Sequence, residues 1–188
     1  RPSPQSAASC VPICLIRTLD GSPHPGAGGT RAVLPLTPSM VAVHTAGGSA
    51  MMRAAADAAR EAGAGRPLII GVTMLTSLDQ ADLADTGVSG SPSDHVRRLA
   101  GLAASAGLDG VVCSAHEIEM LRRDLGPDFT LIVPGIRPAG SDIGDQKRVM
   151  TPSEALSLGA DVLVIGRPIT GAGSPRAAAE EIGKSLAA

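Results

Sequence analysis

From Met40 onward the chain repeats one pattern five times: a short, continuous apolar run, then a longer segment of helical composition. The apolar runs are MVAVHT (40–45), PLIIGVTML (67–75), DGVVCS (109–114), FTLIVPG (129–135) and DVLVIG (161–166). None alternates polar with apolar residues, so each reads as a strand buried on both faces. Between and after them lie SAMMRAAADAAREAG (49–63), SPSDHVRRLAGLAASAG (91–107), AHEIEMLRRDLG (115–126), TPSEALSLG (151–159) and SPRAAAEEIGKSLAA (174–188). Several of these open on Ser, Thr or Pro and close on Gly, as helices do. Strands linked by helices make a parallel sheet, in an α/β protein. VPICLI (11–16) can add one more strand, giving five to six. The remaining choice is between an open doubly wound sheet and a (β/α)8 barrel.

Two of the strands finish alike. Pro134-Gly135-Ile136-Arg137 and Gly166-Arg167-Pro168 each set a Gly and an Arg just past an apolar run. Gly lets backbone N–H groups approach an anion, and Arg supplies a forked, permanent cation. In a barrel the loops after the last two strands commonly hold a phosphate. Turn-forming glycines beside solvated arginines are the plainer alternative, and repetition at successive strand ends is what favours the phosphate.

Composition removes other classes. Aromatic residues are only 1% of the chain, so the core must be built from Ala, Val, Ile, Leu and Met. A net charge of -2, a sequence pI near 6.1 and no basic run argue against a nucleic-acid partner. No apolar run is long enough for a membrane span, and Pro interrupts the opening RPSPQSAASCVPICLI, so a cytoplasmic protein is expected. Cys10, Cys14 and Cys113 read as free thiols; two Cys with no nearby His pair make a poor zinc set, and no metal is expected.

Other polar residues have modest readings. His44 ends a strand at the functional rim, as a candidate acid or base or as a hydrogen-bonded structural histidine. His95 and His116 begin helices and are expected to be exposed. Met51 and Met52 belong to packing, and Glu117 and Glu119 read as solvated carboxylates in a first helical turn. Asp142 and Asp145 are expected to shape their loop.

MVAVHTAGGSAMM, VTMLTS, GLDGVVCSAHE, PGIRPAGSDIGDQKRVMTP and VIGRPIT together resemble the C-terminal two-thirds of the orotidine 5'-phosphate decarboxylases, from about Met40 to Ala188. That resemblance implies a (β/α)8 barrel, here a partial one with five to six parallel strands. It also implies a cofactor-free carboxy-lyase that converts orotidine 5'-phosphate to UMP and CO2 and works as a homodimer. Arg167 and the backbone of Gly166 match the family's grip on phosphate. Gln146 matches the bridge between phosphate and pyrimidine, Arg137 another ligand-binding arginine, and Thr76 a position that touches the base.

Residues 1–39 depart from the pattern, as an irregular or divergent segment before the barrel part at 40–188. Family members carry three βα units before the match to MVAVHT, with Asp-x-Lys-x-x-Asp ending the third strand, so at least the first two strands are expected to be absent. The best match to that signature is CLIRTLD (14–20), which aligns Leu15 with the first Asp, Arg17 with the Lys and keeps Asp20. The Gly- and Pro-rich run from Gly21 to Thr30 is a poor substitute for the expected helix. Arg gives up a proton reluctantly and its planar fork points differently from an ammonium. Three readings follow: the decarboxylase by ancestry, with its substrate-gripping half intact; a non-catalytic phosphate- or nucleotide-binding barrel fragment; or another phosphate-binding barrel enzyme of the same superfamily.

Overall fold

The computed structural model describes residues 13–15, 23–138 and 150–186, the first three as backbone only. Six strands form one parallel sheet: β1 (Ile13–Leu15), β2 (Met40–His44), β3 (Leu68–Val72), β4 (Gly110–Val112), β5 (Thr130–Pro134) and β6 (Val162–Val164). Their order in the sheet is their order in the chain. A doubly wound sheet reverses direction at a switch point, whereas strands laid down in sequence curl toward a barrel. Unbroken order therefore selects the partial barrel over the open sheet.

The connecting helices are α1 (Pro23–Val33), α2 (Gly48–Arg60), α3 (Gln80–Asp85), α4 (Pro92–Ser105), α5 (Ile118–Leu125), α6 (Pro152–Ser157), α7 (Arg167–Thr170) and α8 (Pro175–Leu186). Local chemistry fixes several starts. Ser91 Oγ accepts the Asp94 N–H at 3.1 Å ahead of α4, and Asp79 Oδ1 accepts the N–H groups of Ala81 and Asp82 ahead of α3. Helix α3 lies in the stretch 77–90, which reads only as polar in the sequence.

Alternation along the strands separates two layers. Val41, Val43, Ile69, Val111, Leu131 and Val133 pack under the helices with Met51, Met52 and the alanines of α2 and α4. On the opposite, interior face, Met40, Ile70 and Ile132 meet Leu68, Val112 and Val162. With so few aromatic residues, close helix approach replaces ring area, and alanines supply it.

The run expected to be a poor helix is a helix. Gly26, Gly28 and Gly29 lie inside α1, which packs along α2, and Thr30 Oγ1 donates to the Gly26 carbonyl at 2.9 Å. Low intrinsic propensity is overridden by tertiary packing. A side chain at Gly26 would lie 2.9 Å from Met51 Cγ, so the glycine is what permits that packing.

Candidate active site

The C-terminal ends of β2 to β6 form one rim, because parallel strands all finish at the same edge. Threonine hydroxyls tie neighbouring strand ends together there. Thr45 Oγ1 donates to the Val72 carbonyl at 2.9 Å, and Thr73 Oγ1 to the Val112 carbonyl at 2.7 Å. These bonds hold the loops that follow β2 and β3 in fixed positions. Thr76 lies half-buried in the second of those loops. His44 closes β2 on the interior parity, level with Val72 of β3, and is half-buried.

After β5 the chain turns at Gly135, whose φ of 77 is a conformation that suits glycine. Ile136 is fully buried and bridges to Met150, and the Arg137 N–H donates to the Met150 carbonyl at 3.0 Å. The loop therefore leaves and returns through one stem. Arg137 is only 8% exposed, and its Nη1 donates to the Ile136 carbonyl at 3.0 Å. This arginine is held at the strand end, not solvated. Arg137 follows β5, the strand that pairs with β6, after which Gly166 and Arg167 come. Both are exposed, and the space above the Gly166 Cα is open. Its carbonyl accepts the N–H groups of Ile169 and Thr170, which curls the chain into α7.

The structure thus brings Thr76, Arg137, Gly166 and Arg167 to one rim, on the strand ends of β3, β5 and β6. Gln146, Arg17 and Asp20 lie outside the described residues, as do Asp142 and Asp145.

Several sequence expectations change here. Glu117 is buried, 1% exposed, and its Oε2 accepts the Ser114 N–H at 2.6 Å; it closes the turn after β4 and is no solvated carboxylate. Glu119 and His116 are exposed. His95 is half-buried, and burial, then the Arg98 guanidinium, hold its pKa below the ordinary histidine value, which keeps it neutral at pH 7. Met51, Met52 and Cys113 are core. Sequence reading passed over Ser114, since a serine after a strand is ordinary; it is buried and forms a capping box with Glu117. Among the described residues no helix is long and apolar enough to cross a membrane.

Comparison with known proteins matches residues 31–182 to the orotidine 5'-phosphate decarboxylase / HUMPS family. The orotidine 5'-phosphate decarboxylase of Rhodospirillum rubrum is 54% identical over 179 residues, covering 93% of this chain and 72% of that protein. A match of that extent reaches well into the first 39 residues. The enzyme of the same name from Aliivibrio fischeri is 52% identical over 165 residues, 88% of this chain and 70% of the relative. Among solved structures, the orotidine 5'-phosphate decarboxylase of Lactobacillus acidophilus superposes with a TM-score of 0.81 at 34% identity, over 94% of this chain and 75% of that one. An uncharacterized conserved protein from Geobacillus kaustophilus superposes with a TM-score of 0.77 at 30% identity, over 93% and 75%.

Proposed function

The chain belongs to the orotidine 5'-phosphate decarboxylase / HUMPS family, and on that premise we propose that its C-terminal rim takes orotidine 5'-phosphate and serves decarboxylation to UMP and CO2. One observation carries the reading: Arg137 and the Gly166-Arg167 pair stand at the same end of two adjacent parallel strands. Arg167 and the open backbone of Gly166 grip the phosphate, while Arg137 adds fixed positive charge from the neighbouring strand. Thr76, two strands from Arg137, contacts the base, and Gln146, on the loop that returns at Met150, spans base and phosphate. The reaction breaks the bond between the pyrimidine ring and its carboxylate, leaves the electron pair on the ring carbon, and returns a proton there. No cofactor is needed for that balance.

The proton is the weak point of this chain. Arg17 and Leu15 stand at the positions that match the family's Lys and first Asp, with Asp20 at the second Asp. An arginine holds its proton tightly and Leu15 brings no charge. This observation favours a second reading for the 188-residue chain itself, a nucleotide-binding barrel with little turnover. We place the barrel part at residues 40–188 with β1 and α1 joined to it from the N-terminal side, and the protein in the cytoplasm as a homodimer.

Calorimetric titration separates phosphate recognition from base recognition. UMP binds and uridine binds far more weakly, because uridine lacks the anion that Arg167 and Gly166 hold. Equal affinity for the two would remove the phosphate site.

A further inference from the structure

We propose, resting on the reading of the rim as the orotidine 5'-phosphate site, that His44 donates a hydrogen bond to the carboxylate that the reaction removes, and so sets a preference for substrate over product. Val41 and Val43 face the helices and Met40 the interior, so alternation turns His44 to the interior at the end of β2. Register then fixes its neighbours. His44 pairs with Val72, Val72 with Val112, Val112 with Ile132, and Ile132 with Val162. One row thus crosses the interior from β2 to β6, and His44 is its only polar member.

An imidazole in an apolar row asks for a partner. His44 precedes the turn Thr45–Gly47 without capping it by its side chain, and it makes no hydrogen bond or ion pair with the described residues. The residue is half-buried, and neither ring nitrogen is sealed from the surface. Val41 and Val43 on the helix side are fully buried, so the accessible part of His44 opens to the interior rim. Val164, two residues past Val162 on the same face, is exposed there too. The hydroxyls of Thr45 and Thr73 are already spent on the carbonyls of Val72 and Val112, which leaves the imidazole as a donor for a ligand.

Position selects the ligand group. β2 and β6 are four strand steps apart, half the circuit of an eight-stranded barrel, so His44 faces the Gly166-Arg167 end across the mouth. A mouth of that size holds one small ligand. With the phosphate at β6 and the base at Thr76 after β3, the base end of the nucleotide lies beside β2. The charged group at that end is the carboxylate. Against valine and isoleucine alone it would lose its water with no replacement, which is costly. An imidazole N–H supplies the missing bond, and the neutral ring and the cation both carry one. UMP has only a hydrogen in that position and takes no such bond from His44.

The test is calorimetry on the full chain, His44→Leu and His44→Gln, each titrated with orotidine 5'-phosphate and with UMP. Absorbance is followed in the same samples, so that only unreacted substrate is counted. His44→Leu, which suits the apolar row, should weaken orotidine 5'-phosphate roughly ten- to a hundredfold, the worth of one hydrogen bond to a charged group, and leave UMP unchanged. His44→Gln keeps an N–H donor and should recover part of the loss. Unchanged substrate affinity in His44→Leu overturns the assignment alone. So does an equal loss for both ligands, which would make His44 a general support of the rim. Failure of the unsubstituted chain to bind either nucleotide overturns the reading of the rim along with it.

Discussion

Arg66 and Asp109 meet in a two-point ion pair, with Nη1 to Oδ2 and Nη2 to Oδ1 both at 2.7 Å, at the N-terminal end of the sheet. The same carboxylate accepts the Ile69 N–H at 2.8 Å, while the Asp109 N–H donates to the Ile69 carbonyl at 2.9 Å. Two strands on, Asp161 repeats the device: its Oδ2 accepts the Leu131 N–H at 2.8 Å and pairs with Arg122 at 2.6 Å. One end of the barrel is thus latched by Asp–Arg pairs that set strand register.

Asp109→Ala should destabilise the chain by roughly 2–3 kcal/mol, since it removes a charged hydrogen bond and orphans the Ile69 N–H. Asp109→Asn should cost less, because an amide oxygen still accepts from Ile69. Chemical denaturation at neutral pH measures both. Equal stability of Asp109→Ala and wild type would remove the latch.

The same pair sets a pH dependence. Burial pushes the Asp109 carboxyl up, but the Arg66 hydrogen bond, the Ile69 N–H and the charge of Arg66 outweigh it and hold the pKa below the ordinary carboxylate value. A depressed folded pKa gives stability that is present above the unfolded value of about 3.9 and lost as pH falls through the folded one. The stability gap between wild type and Asp109→Asn should therefore be flat from pH 7 to about pH 5 and shrink below about pH 4. A gap that widens on acidification would contradict the sign.

Two glycines of one helix should respond oppositely to alanine. Gly28→Ala should stabilise by about 0.5–1 kcal/mol, the helix-interior preference for Ala, because nothing lies within 4 Å of the added Cβ. Gly26→Ala should destabilise, because its Cβ would meet Met51 Cγ at 2.9 Å and the Met51 carbonyl at 3.1 Å. Thermal melts of the two variants decide it; a stabilising Gly26→Ala would mean that α1 does not pack on α2 as described.

Much of this was legible in the sequence. Non-alternating apolar runs gave the parallel strands, and VPICLI did supply a sixth, Ile13–Leu15 beside Met40–Ala42. The paired Gly-Arg endings were legible because strand ends and turn chemistry are both local signals. What escaped was decided by contacts between elements. α1 forms despite three interior glycines because α2 covers it, and Glu117 is buried because the Ser114 N–H needs an acceptor. Neither fact is written in the residues around it.

The two edges of the partial barrel carry a prediction about association. Among the described residues β1 and β6 have no outer neighbour, and Val164 on β6 is 39% exposed. Unpaired edges recruit other strands, so light scattering on the 188-residue chain should show dimers or larger species. A well-behaved monomer would count against it.

Turnover of orotidine 5'-phosphate by this chain should be very slow. Gripping groups that bind substrate and transition state equally do not raise the chemical rate. With CLIRTLD aligned on the family signature as proposed, Arg17 takes the place of the Lys and leaves the reaction without its proton donor. Robust loss of orotidine 5'-phosphate absorbance would contradict this and direct attention to Lys147, which neighbours Gln146.

The central claim is that the strand-end arginine of β6 holds a nucleotide phosphate. UMP titrated calorimetrically into wild type and Arg167→Ala tests it most directly. Loss of a charged hydrogen bond to phosphate costs about 1.5–3 kcal/mol, so the account predicts a UMP affinity at least tenfold weaker in Arg167→Ala. Equal affinities in the two proteins would contradict it.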